Sequence, residues 1–313
     1  MKKEINLTET FDFYDQTYLK TYNLNQSIRY QLNLLDSLDL FTRKHSENVA
    51  TITCNLCKKL HCTKNFTEYC VTCAYIHDLG KMFIPQSILQ KKGKLTDEEF
   101  EIMKTHTTIG YKMCMDDLKL RPYAAGAYYH HEALNGSGYP QGLVKKDIPY
   151  EAQIIRVADE YDAITSKRQY KSHIGISDTL KILIENTKPT PDNPKSKDSK
   201  VGKNNPLIVK QLIKLVIEDT EYEIYLTQSY LKNLQAELKR LNQVEKYEIA
   251  MNKAKNDKNK NYYLEGMKML LVNNETPENY KSRYEEYQKA YETRKAIIDN
   301  LYNEIKIIKK LKV

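Results

Sequence analysis

Histidine and aspartate recur in this 313-residue chain at places from which they could act together. They are His45, the pair His77-Asp78, His106, the pair His130-His131, and Asp159, each in helical or helix-edge text. The intervals separating His45, His77, His106, His130 and Asp159 are 32, 29, 24 and 29 residues, room in each case for a helix and its connection. Successive helices could therefore each point a ligand at one centre, as helix bundles do when they build metal sites. Neutral imidazoles with carboxylates suit Fe, Mn, Zn or Ni better than a thiolate-seeking metal or Ca²⁺. Adjacent His77 and Asp78 would let one ion take both, while the second oxygen of Asp78 bridges to another. Two cations about 3.5–4 Å apart can activate a water and hold a phosphodiester for in-line attack. Any one of these histidines alone would be read as an ordinary core or surface residue; the ordered set carries the chemistry.

The elements that must position these groups are helical. From about Leu32 to Leu183 the chain reads as successive helices broken by short loops, with little strand-like alternation. One start is well marked: Thr96 before Asp97-Glu98-Glu99 predicts an N-cap, with Glu99 completing a capping box. Around Lys188 to Pro206 the composition turns to Lys, Pro, Asn, Asp, Ser and Gly, the text of a solvated loop or linker. Beyond it, Ile217, Ile224, Leu231, Leu234, Leu238 and Leu241 keep a helical seam, with Thr220 and Thr227 at intervening positions. A second seam runs through Tyr284, Tyr287, Tyr291, Ile298, Leu301, Ile305 and Ile308, interrupted by Arg294 and preceded by the cap-like Thr276-Pro277. With a polar middle at Asn252 to Tyr262, these predict an antiparallel helical hairpin or coiled coil. It could pack on itself, dimerise or dock a partner protein.

Composition removes several classes. With 49 basic and 41 acidic side chains the net charge is +8, which lysine-rich helices can produce without a special partner. No concentrated basic stripe interleaved with aromatics argues for DNA. No stretch approaches the ~20 uncharged apolar residues of a membrane span, and Met1-Lys2-Lys3-Glu4-Ile5-Asn6 has no apolar leader core. A cytoplasmic protein is expected. The cysteines include two C-x-x-C pairs, Cys54/Cys57 and Cys70/Cys73, with Cys62 between. Two such pairs could supply zinc with four thiolates. Both lie in apolar helix-like text without turn residues, so packing as small core residues is the favoured reading.

The ordered motifs resemble the HD-GYP family of the HD phosphohydrolase superfamily. The resemblance rests on Phe41-Thr42-Arg43-Lys44-His45, His77-Asp78-Leu79-Gly80-Lys81, Lys104-Thr105-His106 and His130-His131-Glu132. It continues through Gly136-Ser137-Gly138-Tyr139-Pro140, Val157-Ala158-Asp159, Tyr161-Asp162-Ala163 and Arg168-Gln169-Tyr170-Lys171. It implies an all-α HD-domain helical bundle at 30–187, flanked by an N-terminal helical segment at 1–29, a polar linker at 188–206 and the C-terminal hairpin at 207–313. It further implies a centre of two Fe or Mn ions, with Zn, Ni or Mg as alternatives. His45, His77, Asp78 and Asp159 would hold one ion, and Asp78, His106 and His130 the other. His131 would be a further ligand or a substrate neighbour. Asp78 and Lys81 would be catalytic, and Lys81, Arg168 and Lys171 would meet substrate phosphates. Tyr139, in its glycine-flanked loop, either borders the substrate or the metals or is simply packed in a turn. The implied activity is a metal-dependent phosphodiesterase that opens a cyclic dinucleotide, cyclic di-GMP above all, to pGpG or GMP.

Three departures from the family pattern matter. Phe41 stands where trinuclear members carry Glu, so a third metal is not expected. Asn135-Gly136-Ser137-Gly138 replaces the usual Asp-Gly-Thr-Gly, and Gln153 replaces an Arg; both changes could retune substrate choice. Only about 30 residues precede the resemblance, so regulation is expected from the C-terminal helices, from another chain, or not at all. The rival readings are an HD hydrolase of another phosphoester, such as cyclic GMP-AMP or a nucleotide, and a nucleotide-sensing scaffold acting through the coiled coil.

Overall fold

A computed structural model describes residues 40–166, 174–190, 196–272 and 274–313. The regular elements of the described residues are all helices, and their one β-type pairing is an isolated bridge between Asn135 and Val144. It divides into two compact units, one reaching Leu215 and one spanning Val216–Lys310.

In the first unit, α1 (Leu40–Lys59) buries Thr42, His45, Ser46, Val49, Thr53 and Leu56, a stripe at three- and four-residue spacing. His45 thus belongs to the face that enters the core. Helix α2 (Lys64–Ile76) is capped by Thr63, whose hydroxyl accepts from Phe66 N at 3.3 Å, and ends at His77. A 3-10 turn, Leu79–Phe83, follows Asp78, and the short α3 (Gln86–Leu89) leads to α4 (Asp97–Asp116). The capping box at α4 is present: Glu99 N donates to Thr96 Oγ1 at 3.2 Å, and Thr96 N to the Glu99 carboxylate at 2.7 Å. Helices α5 (Ala124–Tyr129), α6 (Tyr150–Thr165) and α7 (Ile176–Glu185) complete the bundle, in which α1 packs on both α2 and α6. Ile208, Val209 and Leu212, in the first turns of α8 (Pro206–Lys253), are fully buried in this unit. Residues 196–205, expected as solvated linker, hydrogen-bond instead to α7, α6 and the loop after His131.

The second unit is built from the rest of α8, α9 (Asp257–Leu270) and α10 (Tyr280–Ile308). Ile224 packs with Ile298 and Ile305, while Leu241 and Val244 pack with Met267 and Tyr280. Partners fall along α10 as they climb along α8: Glu221 with Lys309, Gln235 with Tyr291, Glu248 with Tyr280. That order is an antiparallel hairpin, as the two seams predict. The polar middle holds a helix of its own, α9, capped by the Asn256 side chain at Asn259 N. At the closed end Arg240 donates to both oxygens of buried Glu275, at 2.6 and 2.8 Å. Arg294, the interruption in the seam, sets its guanidinium over the Tyr230 ring.

All six cysteines are free thiols, and all but Cys62 are buried, in keeping with packing. No helix among the described residues is long and apolar enough to cross a membrane.

Candidate metal centre

The structure brings His45, His77, Asp78, His106, His130, His131 and Asp159 to one place. Their donor atoms form three groups, His45/His77/Asp78, His77/His130/Asp159 and His106/His130/His131, each with all atoms within 4.8 Å of one another. Helix geometry does most of the aiming. His77 Nδ1 lies 2.6 Å from Ala74 O, His106 Nδ1 2.6 Å from Met103 O, and His130 Nδ1 3.1 Å from Ala127 O. A carbonyl only accepts, so each Nδ1 must carry a proton, and each ring turns its Nε2 toward the cluster. Close approach of the elements requires Gly80, since a Cβ there would stand 1.9 Å from His106 O.

Asp78 sits between the imidazoles, 1 % exposed. Its Oδ1 faces His106 Nε2 at 3.5 Å and His130 Nε2 at 3.9 Å. Its Oδ2 faces His77 Nε2 at 3.3 Å, His45 Nε2 at 3.7 Å and the Lys81 ammonium at 2.5 Å. From α6, Asp159 Oδ1 reaches His45 Nε2 at 2.9 Å, and Asp159 Oδ2 stands 4.0 Å from His131 Nδ1. Helix α6 also supplies Asp162, one turn on, whose Oδ2 holds His45 Nδ1 at 2.7 Å while its Oδ1 accepts from Asn48 at 2.9 Å.

Charge in the cluster is set by burial and partners. Burial pushes His106 down to about 4, and pushes His130 and His131 well below the usual imidazole range, with neighbouring rings adding to it. Burial would raise Asp78, but His77 and Lys81 outweigh it and hold the carboxyl well below its ordinary range; His45 does the same for Asp159. His45 is the exception among the rings: burial opposes its charge, yet Asp159 and Asp162 lift it to about 9. Neutral imidazoles and ionised carboxylates are the donor set a divalent ion takes. Two further features fit an ion. His77 Nε2 is buried without a hydrogen-bond partner, and the lone-pair nitrogens of His106 and His130 face each other at 3.2 Å. Two acceptors at that distance repel unless a cation or a proton lies between them. No cysteine joins such a group among the described residues.

Beside the cluster opens a cleft of about 1020 Å³, lined among others by His131, Tyr139, Asp159 and the basic Lys104, Arg156, Lys197 and Lys203. Tyr139 stacks on His131 with ring centroids 4.7 Å apart and planes 26° apart, so its ring is both packed and cleft-lining. The loop that carries it is organised by Glu132, nearly fully buried, whose two oxygens accept from Gln141 N at 2.7 Å and Leu143 N at 2.8 Å. Arg156 ties this region together, donating to His131 O at 3.1 Å and Asn204 Oδ1 at 2.9 Å. Gln153 does not line the cleft: it bonds Ile148 O at 3.0 Å and Asn205 at 2.9 Å and acts as a strut. Arg168, Lys171 and the side chain of Phe41 lie outside the described residues.

Sequence reasoning met Glu132 and Asp162 within the motifs that carry the resemblance but gave them no role, and it missed Arg156. Asp162 carried a usable signal, its three-residue offset from Asp159 on one helix face.

Comparison with known proteins agrees with this geometry. The family model described as HD domain matches residues 29–192, just over half of the chain. A "Cyclic di-GMP phosphodiesterase" of Thermotoga maritima is 41% identical over 144 residues, 45% of this chain and 39% of the relative. The "Cyclic di-GMP phosphodiesterase response regulator RpfG" of Xanthomonas campestris is 48% identical over 100 residues, 31% of this chain and 26% of that protein. A "3'3'-cGAMP-specific phosphodiesterase 1" of Vibrio cholerae is 31% identical over 151 residues, 48% of this chain and 35% of that protein. The chain thus matches well under half the length of each of these curated relatives. The relatives' names accord with the HD-GYP resemblance drawn from the motifs. With its His-Asp pair at the junction of α2 and the following turn, and the family match running across the whole bundle around it, this chain belongs to the HD domain family.

Proposed function

We propose that the chain is a metal-dependent phosphodiesterase that hydrolyses a cyclic dinucleotide, cyclic di-GMP first, to pGpG or on to GMP. One observation carries the reading: Asp78 turns one oxygen to His106 and His130 and the other to His45 and His77. On this reading His45, His77, Asp78 and Asp159 hold one Fe or Mn ion, and Asp78, His106 and His130 hold a second. His131 is a further ligand or a neighbour of the substrate, and Zn, Ni or Mg are the alternative ions. When bound, such ions supply Lewis acidity toward a phosphodiester oxygen and toward water.

The chain's own groups do the rest. Helix carbonyls keep the protons of His77, His106 and His130 on Nδ1, so their Nε2 atoms stay available. Asp162 holds His45 Nδ1 and orients the ring so that Nε2 meets Asp159, where an ion would take the place of the Nε2 proton. Lys81, bonded to Asp78, adds positive charge where a phosphoryl group gathers negative charge, and Arg168 and Lys171 are proposed as further phosphate contacts. Tyr139 and His131 border the bound nucleotide. Hydrolysis forms one bond from water oxygen to phosphorus and breaks one bond from phosphorus to O3′, and the sugar hydroxyl regains a proton. We place the protein in the cytoplasm.

A second substrate, cyclic GMP-AMP, is favoured by the relatives named for it and by the altered loop, because Ser137 lines the cleft. Anaerobically purified protein offered a panel of cyclic dinucleotides with Fe²⁺ or Mn²⁺, with products separated by chromatography, tests the proposal. About two ions per chain and release of a linear dinucleotide or GMP are expected. Absence of both metal and turnover would favour a nucleotide-sensing scaffold acting through the C-terminal helices.

A further inference from the structure

Residues 196–204 fold back onto the loop that carries Tyr139. The main-chain N–H groups of Lys197 and Asp198 both donate to Asn135 O, at 2.7 and 3.0 Å, and Leu134 N donates to Lys203 O at 2.9 Å. From that anchor the Lys197 side chain crosses the loop. Its stem lies on Gly136, and its ammonium donates to Gln141 O at 3.3 Å and Gly142 O at 2.5 Å. Both glycines have positive φ, +79° and +63°, and a Cβ on Gly136 would stand 2.8 Å from Lys197 Cβ. The loop is therefore shaped to be crossed by this one side chain. Tyr139 lies between the two attachment points, with its ring on His131.

We propose that Lys197 is a positioning residue that straps the Asn135–Gly142 loop at both ends and so holds Tyr139 in the orientation that receives the nucleotide. The nucleotide's identity rests on the function proposed above; the strap itself does not. Lysine suits the task, because one ammonium on a long stem has three rotatable donors and can serve two carbonyls at once. Glu132 keeps the loop folded through Gln141 N and Leu143 N. Lys197 would then set how much of the time the loop is in its receptive form. A ligand that needs that form loses apparent affinity in proportion to its population.

The test uses the full chain with Lys197→Met, which keeps the stem and removes the charge, and Lys197→Arg, which restores donors. Hydrogen–deuterium exchange is followed in peptides covering residues 133–144 and in α1, with metal content and the KM and kcat for cyclic di-GMP. For Lys197→Met, exchange at 133–144 should quicken about tenfold, and KM should rise about tenfold with a smaller change in kcat. Exchange in α1 and metal content should hold, and Lys197→Arg should recover most of the loss. Unchanged exchange at 133–144 overturns the strap, and so does a raised KM without it, which would make Lys197 a direct substrate contact. Loss of metal from Lys197→Met also overturns it. If the wild-type chain turns over no cyclic dinucleotide, the proposed function fails while the exchange measurement still decides the strap.

Discussion

Replacing Asp162 by Asn removes one charge from the centre and leaves a single acceptor oxygen for His45 Nδ1. The Asn48 amide must then turn its oxygen to the new NH2 to keep a bond. The carboxylate is buried, sits 2.7 Å from His45 Nδ1 and accepts from Asn48 at 2.9 Å. An amide of the same shape can still accept the Nδ1 proton, so ring orientation should survive while the ring's basicity drops. Partners behind a metal-bound histidine are worth about 10–100-fold in metal affinity. Asp162→Asn should fall at the lower end, about tenfold or about 1.4 kcal/mol. Asp162→Ala should approach a hundredfold, about 2.7 kcal/mol, because His45 Nδ1 and the Asn48 amide both lose their partner. Competition with a chromophoric chelator under anaerobic conditions reads the affinity, and thermal melting verifies that each variant is folded. If folded Asp162→Ala binds metal within about twofold of wild type, His45 is not a ligand held by Asp162 and the reasoning fails.

Other perturbations probe different parts of the proposal. Asp78→Ala should abolish turnover and reduce bound metal, since Asp78 is the carboxylate placed between His106/His130 and His45/His77; near-normal turnover by the folded variant would refute a shared ligand. Lys81→Ala and Arg168→Ala should keep metal but lose about 2–4 kcal/mol of transition-state stabilisation, read as kcat/KM. Metal loss ahead of activity would remove them as phosphate contacts. A chain ending near Leu215 should fold and hold metal, whereas one ending near Asn204 should not. The shorter chain strips the fully buried Ile208, Val209 and Leu212 from the first unit, about 1.5–3 kcal/mol each. That loss rivals the whole stability of an ordinary domain. Melting and metal analysis of the two chains decide it, and sedimentation of the full chain shows whether the hairpin seam joins two copies.

The site's chemistry was legible where it depends on residue type and local spacing. Histidines, seven in the whole chain, are few enough to stand out, Asp78 stands out by adjoining one, and Thr96 with Glu99 announces its capping box through a three-residue offset alone. What stayed hidden depends on partners brought in by the fold. Glu132 reads as one more charged residue because its partners are main-chain amides of Gln141 and Leu143, which leave no trace in side-chain identity. Residues 196–205 have the composition of solvated loop, and their contacts to Asn135 and Asn186 also run through backbone groups. Helix α9 escaped notice inside a polar stretch because its face contributes just one buried side chain, Met267.

The anchoring of the imidazoles has a consequence for how mutation can damage this protein. His77 and His106 are held by the carbonyls of Ala74 and Met103, three residues back, and His130 by those of Gly126 and Ala127, four and three back on the same chain. No substitution can delete a main-chain carbonyl, so these three rings keep their tautomer through any change of neighbour that leaves the helical turn intact. His45 alone depends on a side chain, Asp162, for its Nδ1. Genetic fragility behind the centre is therefore concentrated at one position on α6. Random mutagenesis scored for metal retention should find sensitive sites at the histidines and aspartates themselves, at Asp162 and at Gly80, whose added Cβ would collide with His106 O, with Ala74, Met103 and Ala127 tolerating any residue their packing admits.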